Sequence, residues 1–85
     1  MTDAKLIKEG RKCAEAAFII DGNFYGYDLA ACTKECENND ECYNFAHSSA
    51  SCELYKKGCN LSNSQDHNYY AVRLKKITSG ILTWE

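Results

Sequence analysis

The chain has 85 residues, 45% of them apolar, and a formal net charge of −2, which makes it one small folded domain with no room for a second core. The slightly acidic balance weighs against nucleic acid or anionic lipid as the main partner, because both select a dominant basic surface. The longest apolar runs, such as Ala16 to Ile20, fall far short of the roughly 18 residues a membrane-spanning helix needs.

In chain order, Lys5 to Lys12 is a locally basic stretch, read as an N-terminal extension covering residues 1–12. Ala14 to Ile20 is predicted to be a strand that ends in the turn residues Asp21-Gly22-Asn23. From Asp28 to about Asn38 the sequence predicts a short helix. Asp28 is a good N-cap that suits the positive end of the helix dipole, and the Leu, Ala, Lys and Glu that follow are good helix formers. Leu29, Cys32 and Cys36 fall at i, i+3 and i+7, so they share one apolar face by which the helix docks. Asn38-Asn39-Asp40 then ends it.

Cys42 to His47 and Cys52 to Lys56, joined by Ser48-Ser49-Ala50-Ser51, predict a hairpin. Phe45 is three residues from Cys42, so regular pleating would put the two on opposite faces; Cys42 is therefore placed at the strand entrance, ahead of the pleat. Tyr69 to Lys75 alternates, with Tyr70, Val72 and Leu74 on one face and Arg73 and Lys75 on the other, and predicts a half-buried antiparallel strand. Residues 77–85 are an extra strand or a linker. The fold class is α+β: a small disulfide-rich domain with one helix packed on an antiparallel β-sheet. Its expected core is Phe45, Leu54, Tyr70, Val72 and Leu74, beneath Leu29.

A domain this small buries only about 60–65% of the surface its unfolded chain exposes, so its core alone leaves stability marginal. Six cysteines are the candidate staple and indicate an oxidising compartment. The N-terminus lacks the apolar stretch of a secretory signal, and the expectation is a module of a longer secreted or cell-surface protein. The rival use of the cysteines is zinc. Their spacing, Cys13-x18-Cys32-x3-Cys36-x5-Cys42-x9-Cys52-x6-Cys59, contains one knuckle-like pair where a structural site normally has two, even with His47 and His67 as additional donors. Six cysteines permit fifteen pairings, and spacing alone does not choose among them.

The run Asp28-Leu29-Ala30-Ala31-Cys32-x3-Cys36-x5-Cys42-x2-Phe45, followed by Cys52-x-Leu54 and the strand Tyr69 to Leu74, resembles the PAN/apple domain family over roughly residues 14–76. The short hairpin and the lack of proline are more similar to the modules of apicomplexan microneme adhesins than to those of blood proteins. The resemblance implies a 13–76 module, pairing of Cys32 with Cys52 and of Cys36 with Cys42, and, by exclusion, Cys13 with Cys59. It departs from the blood-protein pattern in having no cysteine after Cys59. It also implies adhesive contacts, with another protein of an adhesive complex, a host-surface receptor or a glycan as partner.

Catalytic, metal and cofactor sites are not expected. His47, Ser48, Ser49 and Ser51 are adjacent, but adjacency is not a triad and no nucleophile-elbow motif surrounds them. Glu35, Glu37, Asp40 and Glu41 lack calcium-loop spacing, and Gly22 and Gly26 lack phosphate-loop order. The expected binding residues are Tyr25, Tyr27, Lys56 and Lys57, as exposed aromatic and basic groups beside the helix and the hairpin. Asn60-Leu61-Ser62 is an N-glycosylation sequon. The alternative reading is a stand-alone secreted inhibitor or toxin, for which Ser62 to Asn68 is the candidate exposed loop.

Overall fold

The computed structural model describes residues 4–20, 25–49, 51–72, 74–78 and 81–84, the last two stretches by their backbone. A four-stranded antiparallel sheet is ordered β1-β4-β2-β3, with β1 at Lys5–Cys13, β2 at Asn44–His47, β3 at Cys52–Tyr55 and β4 at Leu61–Ala71. One helix, α1 (Leu29–Glu37), packs on it, and β5 (Leu74–Thr78) pairs with β6 (Ile81–Trp84) as a separate two-stranded sheet. Lys5 to Lys12, read as part of an extension, thus belong to the main sheet, and the tail contains a paired strand.

Three disulfides tie these elements together. Cys32 of α1 is bonded to Cys52 of β3, Cys36 of α1 to Cys42 just ahead of β2, and Cys13 at the end of β1 to Cys59 just ahead of β4, with Cα separations of 5.9, 5.1 and 5.7 Å. No cysteine among the six is free, so none offers a thiolate to zinc. Cys42 lies outside the pleat, which begins at Asn44.

The central ladder puts Phe45 opposite Tyr70 on β4 and Leu54 on β3, and Ala46 opposite Tyr69 and Glu53. Because side chains alternate between faces, this register creates two cores. Under the helix lie Cys32, Cys36, Cys42, Phe45, Cys52, Leu54 and Val72, with Tyr70 and Tyr27 half-buried at the margin. On the opposite face Cys13, Ala46, Tyr55 and Tyr69 are buried and are flanked by Phe18, Ile19, Cys59 and Leu61. The rings stack within each layer, Phe45 on Tyr70 at 5.1 Å and Tyr55 on Tyr69 at 6.1 Å between centroids. The second core corrects the expectation of a single core drawn from chain length and from assigning one face of the last strand to solvent: the two clusters lie on opposite faces of one sheet within one domain.

Four further expectations are corrected. Ala14 to Ile20 is not a regular strand but a 3-10 turn, Ala16–Phe18, with Ile19 bridging Tyr55. A continuous apolar run carries no period of two, and tertiary contact bends it so that Phe18 and Ile19 reach the second core while Ala16 and Ala17 stay exposed. Leu29 is 38% exposed instead of buried. It shares an azimuth with Cys36, but it sits a full turn before the first disulfide, where Asp28 and Ala30 are also exposed; Thr33, whose hydroxyl donates to the Leu29 carbonyl at 2.8 Å, is buried in its place. The last strand of the module starts at Leu61, ends at Ala71 and buries Tyr69 and Ala71 opposite to Tyr70. The Leu74 side chain lies outside the described residues. Ser62 to Asn68 is therefore part of a strand and not a free loop.

The helix start follows the sequence reading. Asp28 adopts extended backbone, and its carboxylate accepts from the Ala31 N–H at 2.8 Å. Asp28→Ala is expected to cost about 1 kcal/mol, as loss of an N-cap commonly does. Asp28→Asn, which keeps an acceptor, should cost much less; equal losses for the two in urea unfolding would show that the cap contributes nothing.

Burial in the second core holds the phenols of Tyr55 and Tyr69 in their neutral form. Desolvation pushes Tyr69 up to about 12 and Tyr55 higher still, Tyr55 being raised further by the 2.6 Å hydrogen bond it donates to the Glu53 carboxylate. Both pKa values are raised above the unfolded value of about 10, so the folded state holds more protons above that pH. Their contribution is complete below about pH 10 and is lost as pH rises through the folded values. Stability should stay level up to about pH 10 and then fall, and Tyr69→Phe should reduce the fall; a Tyr69→Phe protein with an unchanged alkaline profile would contradict this.

Candidate functional site

The segment that leads into α1 crosses the tip of the β2–β3 hairpin. Tyr25 forms an isolated bridge with Ser51 and is 76% exposed. Gly26 follows at φ +79 with open space around it, a left-handed conformation that glycine adopts without strain. Tyr27 then turns inward: its side chain is half-buried against the core beneath the helix, and its carbonyl accepts from His47 Nε2 at 3.1 Å. A carbonyl only accepts, so this contact requires the proton on Nε2. Tyr25 is thus a surface residue, while Tyr27, expected to be exposed, is mainly a packing residue.

The histidine and serines of the hairpin are absorbed by the turn. The Ser48 hydroxyl lies 2.9 Å from that of Ser51 and accepts from the Ser51 N–H, and the Ser48 N–H donates to the Ser51 carbonyl at 2.9 Å. His47 points its Nε2 at Tyr27 and not at a hydroxyl. These contacts close a turn and anchor the segment ahead of the helix.

Lys56 and Lys57 lie at the other end of β3. Lys56 Nζ is 3.6 Å from the Glu41 carboxylate, with both side chains largely exposed, an arrangement typically contributing about 0.2–1 kcal/mol. Lys57 Nζ sits 5.8 Å from the centroid of Tyr43, within cation–π range. The lysines therefore cluster with Glu41 and Tyr43 beside the Cys36–Cys42 bridge. The four residues of β3, Cys52–Tyr55, put Lys56 roughly 17 Å along the strand from Ser51 and its partner Tyr25. The structure does not unite Tyr25 and the lysine pair in one patch.

A hydroxyl–imidazole pair that the sequence reading passed over occurs in β4. Between the pairs Arg11↔Asn63 and Glu9↔Asn68, β1 contributes one residue, Gly10, and β4 four, Ser64 to His67. The excess bulges outward with Gln65 and Asp66 exposed, and Ser64 Oγ lies 2.8 Å from His67 Nδ1 across its neck. Opposite it, Gly10 has φ +65 and donates its N–H to Asn68 Oδ1 at 3.1 Å. Serine and histidine three apart in a strand pattern look unrelated, because pleating alone would put them on opposite faces; only the change of register brings them together.

Asn60 is exposed beside the Cys13–Cys59 bridge. Its N–H donates to the Glu15 carboxylate at 3.1 Å and its carbonyl accepts from Ala14 at 2.8 Å. Among the described residues no group of three or more His, Cys, Asp and Glu side chains is arranged to hold a metal ion, and no helix is long and apolar enough to cross a membrane. No protein-family model, no curated protein and no solved structure matches this chain.

Proposed function

We propose that the chain is a non-catalytic extracellular binding module of the PAN/apple type, mediating contacts in adhesion as one repeat of a multi-module secreted or cell-surface protein. The observation that carries this reading is the disulfide framework: Cys32–Cys52 and Cys36–Cys42 fix one short helix to the sheet, and Cys13–Cys59 fixes the first strand. Such density of bridges in a small domain belongs to oxidising compartments, and the cysteine order along helix and hairpin supports the family. The partner is another protein of an adhesive complex or a host-surface receptor, ranked above a glycan because a chain of net charge −2 is poorly suited to strong binding of a sulfated polysaccharide. Microneme secretion is the corresponding localisation, and the exposed Asn60 sequon would carry the glycan of a chain passing through such a pathway.

The bulge Ser64 to His67, with Gln65 and Asp66 exposed, favours the second reading of an inhibitor or toxin that presents this segment to a protease or receptor. Pull-down from host and source extracts, beside heparin and glycan-array binding at physiological salt and protease inhibition assays, separates these readings. Retention of a defined protein supports the module. Sugar binding without a protein partner reverses the ranking of ligands, and inhibition lost on substitution of Gln65 and Asp66 installs the second reading.

A further inference from the structure

The two edges of the four-stranded sheet are treated differently. Along β3 the outer backbone is occupied: Ile20 N–H donates to Leu54 at 2.9 Å, Lys56 N–H donates to Phe18 at 2.8 Å, and Tyr25 bridges Ser51 at the far end. Nothing comparable occurs along β1 among the described residues. Among the described residues no strand lies beyond β1 and no backbone group bonds it from outside. An open edge nine residues long is a template for another strand.

The side chains on that edge are selective. Lys5, Lys8, Arg11 and Lys12 stand against the single carboxylate of Glu9, in a chain whose formal net charge is −2. Among the described residues Lys5, Lys8 and Lys12 have no ion-pair partner. Leu6 and Ile7 are 40% and 39% exposed, which leaves apolar contacts beside the charges of the edge. The lysines also discourage self-association. Each β1 carries a formal charge of +3, from Lys5, Lys8, Arg11 and Lys12 against Glu9, so pairing two copies brings like charges together along the edge, which is unfavourable. A second copy is thus disfavoured, and a strand of opposite charge is favoured.

We propose that β1 is a docking edge that receives an extended acidic segment of a partner protein as a fifth strand, with backbone hydrogen bonds providing the pairing and Lys5, Lys8, Arg11 and Lys12 selecting carboxylates. This deepens the binding-module reading and rests on it. The acidic partner is distinguished by charge and not by shape, because strand addition reads side chains on alternate positions only.

The test uses a capped nine-residue peptide of alternating Glu and Val, with a Lys-Val peptide of the same length and a heparin oligosaccharide as comparisons. The Glu-Val peptide should slow amide hydrogen exchange along β1, bind more weakly in high salt, and bind roughly tenfold more weakly to the Lys5→Glu/Lys8→Glu variant, as expected when two attractive contacts become repulsive. Both substituted residues are exposed, and unchanged melting confirms that the fold is kept; Lys8→Glu alone serves if the double variant melts early. Equal binding by variant and wild type, exchange changes along β3 instead of β1, no peptide binding, or binding of heparin alone would each overturn the proposal. A defined protein partner held equally by wild type and double variant would also overturn strand addition, while leaving the binding-module reading standing.

Discussion

Replacing Cys32 and Cys52 together by alanine is expected to be the most damaging two-residue change in the protein. The chain-entropy model alone does not give this order. From sequence separations of 20, 6 and 46 for Cys32–Cys52, Cys36–Cys42 and Cys13–Cys59, it assigns about 3, 2 and 4 kcal/mol, largest for the longest loop. The native structure reverses the first and last. Cys32 is fully buried and Cys52 is 5% exposed within the core under the helix, so their loss also removes packed sulfur and leaves a void. The remaining tie of α1, Cys36–Cys42, reaches only the connection just ahead of β2, and a helix of nine residues is far too short to persist by its own propensity. By contrast, the ladder between β1 and β4 remains when Cys13–Cys59 is removed. We expect a loss of about 4–5 kcal/mol for the Cys32/Cys52 pair, seen as a fall in melting temperature and collapse of the near-ultraviolet circular dichroism. An equal or larger loss for the Cys13/Cys59 pair would show that loop length, and not helix docking, governs stability.

Phe45→Ala should come next, at about 3–5 kcal/mol for a fully buried aromatic side chain. Phe45 is 0% exposed, sits between Leu54 and Tyr70 in the central ladder, and stacks on Tyr70 with 14° between the ring planes. A single small domain has a total stability of roughly 5–15 kcal/mol, so this one truncation consumes much of it. Phe45→Leu, which keeps most of the volume, should cost under about 1.5–2 kcal/mol. Urea unfolding under oxidising conditions measures both. A loss below about 1 kcal/mol for Phe45→Ala would mean that the ring contributes little to the core.

Local chemistry was enough to read several elements. Asp28 and the helix formers after it mark α1, and the polar run between Cys42–His47 and Cys52–Lys56 marks the hairpin, because caps and turns are decided by groups within a few residues of one another. The buried positions of Phe45, Leu54 and Val72 were legible for the same reason. The candidate site was less so: Tyr25, Lys56 and Lys57 are exposed as expected, yet strand length holds them apart, and Tyr27 is drawn into the core.

Short-range chemistry therefore suffices for the stapled α+β domain, its helix and its hairpin. Pairing at long range depends on tertiary contacts. Lys5–Cys13 looks like a basic extension until β4 provides its partner, since Leu6 and Ile7 lack the one-sided alternation of a half-buried strand. The second core around Tyr55 and Tyr69 exists because β1, the 3-10 turn and the Cys13–Cys59 bridge cover the face left open by the helix. The Ser64–His67 contact arises from a shift of register between two strands more than fifty residues apart in sequence, and no window of neighbouring residues encodes which carbonyl a distant N–H will meet.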